Sequence, residues 1–310
     1  MKLTKVLHCV VKARGAILKI IDILRGGEVT VSCELFPPKP GEPLEGAKEI
    51  VKEIASLSPS FISVTYGAGG STSKTTVDVS REVQKYKLPA LAHLTCVGAD
   101  KKTIKDAIDE LRNNNIKNIL ALRGDEPSEG KSIHGDYKYA SDLAREIKNL
   151  GDFCVGGACY VEGHPESKTL QDDINSLKIK VDAGCEFFTS QMFFDNDRFY
   201  NFMFRLLGSG ISVPIVAGIM PITNAAQISR IFSLSGTALP PRFKAMVDRF
   251  AGNPAALRQA GLAYATGQII DLISNGVNHI HIYCMNRPNN ARVIMRGLDK
   301  IFIRTPSGMT

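Results

Sequence analysis

Arg123, Gly124 and Asp125 follow directly on an apolar run, Ile116–Leu122, within the stretch IKNILALRGDEP. That run is bounded by Asn113–Asn115 before it and Gly-Asp after it, the pattern of a strand buried on both faces of a parallel sheet. In parallel α/β proteins ligands collect at the carboxyl ends of the strands. A cation, a residue without a side chain and a carboxylate therefore stand where chemistry is expected. An arginine–aspartate surface pair around a glycine turn explains the same three residues, and the triplet alone does not separate the two readings.

Glu34 is a second candidate. It lies in CELFPPKP between Cys33 and Leu35, with Phe36 and two prolines beyond. Desolvation disfavours the charged form and would suit this carboxyl to proton transfer near neutral pH. The double proline is expected to stiffen the loop. A structural pairing with a barrel arginine is the alternative. His93, in LAHLTC, has apolar neighbours, and a lone histidine in a strand is more often a hydrogen-bonded core residue than a ligand. His93, His164 and Glu162 include metal-ligand types, yet none of the three stands in an HxH or HExxH spacing, and no metal is expected. In ESKTLQDDINSLKIKVDAG, Asp173, Ser176 and Lys180 share one helical face, suited to hydroxyls and a diphosphate or, equally, to solvent.

The elements that must position these residues alternate along the chain. Apolar, β-rich runs occur at 29–36, 61–66, 88–95, 116–122, 154–160, 186–193, 213–219 and 279–285. Helical patterns lie near 43–57, 74–86, 100–114, 139–150, 168–183, 196–208, 224–275 and 289–301. The long 224–275 pattern is broken at Pro240-Pro241 and at Asn253-Pro254, a cap followed by proline at the first helical position. Eight strands alternating with helices, without GxGxxG after the first, predict a single closed (β/α)₈ TIM barrel over residues 29–310. Residues 1–28 are expected to form an N-terminal helical extension, with apolar positions from Val6 to Leu24. Packing against the barrel is its expected role and partner docking the alternative. In a barrel, Glu34, Thr65, Tyr66, His93, Thr95, Arg123, Asp125, Tyr160, Glu162, His164, Gln191, Tyr283 and Arg287 all fall at one mouth. Random loops would rarely concentrate that set.

Composition bounds the partners. The 310 residues are 44% hydrophobic, with 38 Lys and Arg against 31 Asp and Glu, a net charge of +7. An anionic ligand suits that balance; nucleic acid does not, because the basic residues are dispersed. The seven cysteines are scattered and mostly inside apolar runs, read as buried free thiols in a reducing cytoplasm. The N-terminal apolar stretch is too short for export and no run is long enough to span a membrane.

Ten motifs in order, CELFPPKP, FISVTYGAGGS, AHLTC, NILALRGDEP, YASDLA, YVEGHPES, LKIKVDAG, SQMFFD, GIMPITN and HIYCMNR, resemble the methylenetetrahydrofolate reductase family from about Val29 to Leu298. The resemblance implies a barrel carrying FAD at its mouth, with FMN as an alternative and NADH or NADPH as candidate donor. It implies flavin contacts at Thr65, Tyr66, Ala68, His93, Arg123, Gly124 and Asp125, and at Tyr139, Ala140, Tyr160, His164, Asp173, Ser176 and Lys180. Gln191, Tyr283 and Arg287 fall on folate contacts. Glu34 matches the general acid that opens the methylene bridge, and Asp125 the carboxylate that tunes flavin and orients pterin. Ser176 and Ile179 stand where asparagine and arginine are expected, and Ala225 where a phenylalanine is. Two alternatives follow: a flavin-binding subunit that needs an electron-transfer partner, and a metal-dependent lyase or aldolase using Glu34 and the histidines. A homo-oligomer or hetero-complex is expected.

Overall fold

Eight parallel strands close into a barrel in which spatial order follows chain order. They are β1 (Thr30–Leu35), β2 (Phe61–Val64), β3 (Ala90–Thr95), β4 (Asn118–Leu122), β5 (Cys154–Cys159), β6 (Phe187–Ser190), β7 (Ile215–Ile219) and β8 (His279–Ile282). β8 closes on β1 with Thr30 opposite His279 and Ser32 opposite His281. The structure is a computed structural model describing residues 18–39, 41–66, 73–125, 135–228 and 239–301. The helices are α1 (Ile20–Leu24), α2 (Leu44–Ala55), α3 (Ser73–Lys85), α4 (Lys101–Asn113), α5 (Ala140–Leu150), α6 (Leu170–Asp182), α7 (Asn196–Gly208), α8 (Pro241–Phe250), α9 (Pro254–Ser274) and α10 (Pro288–Gly297). The predicted (β/α)₈ barrel is thus the observed fold.

The two faces of each strand meet different surroundings, because successive side chains alternate. Val31, Cys33 and Leu35 of β1, Ile62 and Val64 of β2 and Ile280 and Ile282 of β8 point outward into one continuous core. There they meet helix stripes such as Ala47, Val51 and Ile54 of α2 or Ile104, Ile108 and Leu111 of α4. Local caps start the helices: Asp100 accepts from Thr103 N before α4, and Thr169 from Asp172 N before α6. Proline at the first turn opens both α8 and α9.

Inside, the amino end of the barrel is an apolar floor. Phe61, Leu91, Leu120, Cys154, Phe187 and Val216 meet Ile20, Ile21 and Leu24 of α1, all buried. A buried polar side chain holds the plug: Asn118 accepts from Ile20 N at 2.7 Å and donates to Leu18 O at 3.3 Å. At about 1.5–3 kcal/mol per buried aliphatic side chain, this floor favours keeping α1 in place. Of the expected N-terminal helices, residues 18–25 therefore pack into the barrel, and residues 1–17 lie outside the described region.

The expected strand runs overshoot at their carboxyl ends. Tyr66, Tyr160, Gln191 to Phe193 and Cys284 to Met285 lie beyond the ladders. Apolar character persists there because the mouth loops are themselves buried, as Phe193 and Cys284 show. After β8 the backbone turns away through Met285 and Asn286, both left-handed at φ 55° and 52°. No helix among the described residues is long and apolar enough to cross a membrane.

Candidate active site

At the carboxyl ends of the strands opens a cavity of about 1690 Å³, larger than the roughly 300–1,000 Å³ of a pocket for one small ligand. Glu34 projects into it from β1, and Cys33 and Leu35, adjacent in sequence, point the opposite way into the outer core. The apolar sleeve expected around Glu34 is therefore not what surrounds its carboxylate. Oε2 faces two imidazoles instead, His281 Nε2 at 3.8 Å and His93 Nε2 at 4.0 Å. The reason is the alternation of the strand: neighbours in sequence belong to the other face.

Each imidazole is held by a serine on an adjacent strand. Ser63 Oγ lies 2.5 Å from His93 Nε2, and Ser32 Oγ lies 2.8 Å from His281 Nδ1. Burial pushes His93 down to about 4, more than the Glu34 carboxylate pulls it up, so it is neutral at physiological pH. The loop after Glu34 is clamped: Asn286 accepts from Phe36 N at 2.8 Å and donates to Phe36 O at 3.0 Å. The Cys284 thiol donates to Glu34 O at 3.1 Å. These contacts fix the backbone that carries the carboxylate.

The wall built by β4 and β5 carries the RGD triplet. Gly124 sits at φ +90°, and a Cβ there would come within 2.8 Å of Val97 Cγ1. Arg123 makes a two-pronged pair with Glu166, at 2.6 and 2.5 Å, rather than a pair with Asp125. That contact holds the Glu166 carboxyl below its usual range. Asp125 is exposed at the rim and raises the phenol of Tyr160, though burial raises it more. His164 accepts from Glu166 N at 3.1 Å and packs edge-on against Tyr160 at 4.7 Å. Glu162 turns away and pairs with Arg198 at 3.0 Å, outside the cavity wall.

α6 lines the far side. Asp173 is buried, accepts from Ser167 Oγ at 3.3 Å, and burial raises its carboxyl despite nearby Lys180. Lys180 reaches in to donate to Ala158 O at 2.8 Å, and burial lowers its ammonium. Ser176 and Ile179 share that face and also line the cavity. Tyr139 and Ala140 line it at the start of α5.

Across the mouth, Tyr283 donates to Ser190 O at 2.7 Å and stacks edge-on against His281 at 5.0 Å. It fits only because Gly218 of β7 has no side chain; a Cβ there would collide with Ser190 O and the Tyr283 ring. Burial, then Glu34, raises the Tyr283 phenol well above its usual range. Gln191 lines the cavity beside it, its side-chain oxygen accepting from Met192 N at 3.0 Å.

The structure thus gathers Glu34, Thr65, Tyr66, His93, Arg123, Gly124, Asp125, Tyr160, His164, Asp173, Lys180, Gln191 and Tyr283 around one space. Arg287 stands exposed before α10, outside the cavity wall, and Ala68 lies outside the described residues. Sequence reasoning passed over His281, Ser32, Ser63, Glu166 and Thr189. The period-two pattern HIHI in β8 was the available signal for His281. Thr189 gave none: it is an ordinary β residue whose hydroxyl is buried on the cavity wall without a hydrogen-bond partner. An orphaned hydroxyl, a recessed lysine and a volume beyond one small ligand fit a long, polar cofactor together with a substrate.

A sequence profile of the methylenetetrahydrofolate reductase family matches residues 19–299. The chain belongs to the methylenetetrahydrofolate reductase family. The family's enzymes are flavin-dependent oxidoreductases acting on methylenetetrahydrofolate. Among family members, the 5,10-methylenetetrahydrofolate reductase of Pectobacterium carotovorum subsp. carotovorum is 34% identical over 262 residues, 84% of this chain and 87% of that protein. Methylenetetrahydrofolate reductase (NADH) 1 of Arabidopsis thaliana is 32% identical over 298 residues, 91% of this chain and 50% of the plant protein. A solved Clostridium thermocellum protein, described as binding two copies of 5-methyl-5,6,7,8-tetrahydrofolic acid, superposes with a TM-score of 0.65 at 14% identity. It covers 92% of this chain and 99% of its own, a likeness of fold.

Proposed function

We propose that this methylenetetrahydrofolate reductase family member reduces 5,10-methylenetetrahydrofolate to 5-methyltetrahydrofolate in two hydride-transfer half-reactions at the barrel mouth, with FAD as the cofactor. The observation that carries this reading is Glu34, a buried carboxyl held at the base of the cavity with a phenol and two imidazoles around it. Flavin, when bound, supplies the redox chemistry, accepting hydride from a nicotinamide and returning it to the one-carbon unit.

The chain's own residues supply position, charge and a proton. Glu34 gives its proton to the bridging nitrogen of the substrate as the carbon–nitrogen bond opens, leaving an electrophilic iminium carbon. Asp125 stands at the rim to orient the pterin and to bias the flavin electrostatically. Lys180, Asp173 and Ser176 offer a cation, a carboxylate and a hydroxyl along one face of α6, suited to the diphosphate and ribose of a dinucleotide. Ile179 on that face adds no charge, so the adenosine end rests on fewer polar contacts than an arginine would give. Gln191 and Tyr283 face the substrate side.

The test is an anaerobic absorbance titration of the reconstituted protein, first with NADH and then with methylenetetrahydrofolate. Bleaching of the flavin band by NADH and its return with folate are the expected outcome. Return with folate only after chemical reduction would transfer the first half-reaction to a protein donor. Failure to bind FAD or FMN would overturn the reading.

A further inference from the structure

The register of β1 against β8 ends at Cys33 and Ile282, one residue short of Glu34. Beyond that pair, Met285 and Asn286 are both left-handed and carry the chain away from the sheet. On the β2 side main-chain bonding continues, with Thr65 N donating to Leu35 O at 2.9 Å. On the β8 side two side chains take over. The Cys284 thiol donates to Glu34 O at 3.1 Å, and the Asn286 amide both accepts from Phe36 N at 2.8 Å and donates to Phe36 O at 3.0 Å. Residues 284 and 286 thus hold residues 34 and 36, the alternate spacing of a strand. The orientation of the amide is set by its partners: reversed, its NH₂ would face the Phe36 N–H and its oxygen the Phe36 carbonyl.

We propose that Asn286 is a positioning residue for the general acid: its amide holds the main chain from Glu34 to Phe36 against the end of β8, and so sets where the Glu34 carboxyl stands when it meets the substrate nitrogen. This rests on the reading of Glu34 as the general acid. The residue type suits the task, because asparagine tolerates the left-handed backbone and carries both a donor and an acceptor. The loop offers little else to hold. Pro37 and Pro38 have no N–H, so Phe36 is the last residue with an amide hydrogen before Lys39, whose N–H goes to the Glu42 carboxylate at 3.0 Å. Placement matters here because a catalytic group displaced by about 1 Å can lose on the order of 10²-fold in rate.

Stopped-flow reoxidation of the chemically reduced flavoprotein, followed against methylenetetrahydrofolate concentration, separates the limiting rate from the affinity for folate. It is measured in wild type, Asn286→Gly, Asn286→Asp, Glu34→Gln and the double variant Asn286→Gly with Glu34→Gln. Glycine accepts the left-handed backbone and removes both bonds to Phe36. Asn286→Gly is expected to retain flavin and to lower the limiting rate about 10-fold or more, with a smaller change in the apparent Kd for folate. Asn286→Asp keeps the bond from Phe36 N but sets an oxygen against Phe36 O, and its rate is expected to fall between the two. In the Glu34→Gln background, Asn286→Gly is expected to add no further loss, because the acid it would place is gone. Fully additive losses would overturn the proposal, as would a wild-type limiting rate in either Asn286 variant, whatever its melting temperature. A normal rate in Glu34→Gln would instead remove the acid itself.

Discussion

Among single residues, Thr189 and Glu34 make opposite demands on an experiment. The Thr189 hydroxyl is buried without a partner, and leaving such a group unpaired costs about 1–3 kcal/mol. Thr189→Val removes the orphan while keeping shape. The melting temperature without ligand should stay level or rise, while the KM for folate or the Kd for flavin rises if the hydroxyl meets either. A rise in neither constant would assign the hydroxyl no ligand. Glu34→Gln keeps the size of the side chain and removes the acid. Flavin content and reduction by donor should persist, while single-turnover reoxidation by folate falls about 10²-fold or more, as for loss of a general acid. Arg123, Gly124 and Asp125 were legible as a set because strand ends are conspicuous in sequence. Their partners were not: Glu166 meets Arg123 from a different loop, 43 residues on.

Single elements make two glycines and one short helix consequential. Gly124 combines a left-handed backbone with contacts that leave no space for a side chain. Gly124→Ala should cost about 1–3 kcal/mol of stability by thermal or urea unfolding, the usual range for strain at such a position. Gly218→Ala should displace Tyr283 from Ser190 O, read as a raised KM for folate with flavin content unchanged. α1 spans only five residues and has little helical stability of its own, so its place depends on the floor it fills. Leu24→Ala in that floor should cost about 2–5 kcal/mol, measured by urea unfolding. A loss below 1 kcal/mol would mean that the plug contributes little to the closed barrel.

Across the whole molecule, neutral imidazoles that are buried or half-buried link stability to pH. His93 is pushed down to about 4 by burial, and burial also lowers His164 and His279. The unfolded chain binds these protons from about pH 6.5 downward, and the folded chain resists them. The stability these imidazoles contribute is therefore present above about pH 6.5 and is lost as pH falls toward 4. His93 alone contributes on the order of 3 kcal/mol to that loss. Melting temperatures recorded from pH 7 to pH 4 should fall steeply in wild type and less steeply in His93→Asn. Equal slopes would show that His93 is not the group that titrates.

The sequence by itself determined the alternation of eight apolar runs with helical stripes, and with it the barrel and the common mouth. Each strand is recognisable locally because both of its faces are buried, and each helix because one stripe is. It also carried Glu34, Asp125 and the α6 face, whose neighbours along the chain mark them as motifs. Only the tertiary structure decided what those groups touch. The β1–β8 closure joins residues about 250 apart and turns Ser32, Glu34 and His281 into one cluster. Nothing within a window of a few residues encodes that pairing, because it is set by ring closure and strand register. The same is true of α1, whose short apolar run resembles any surface helix until the floor of the barrel is present to receive it.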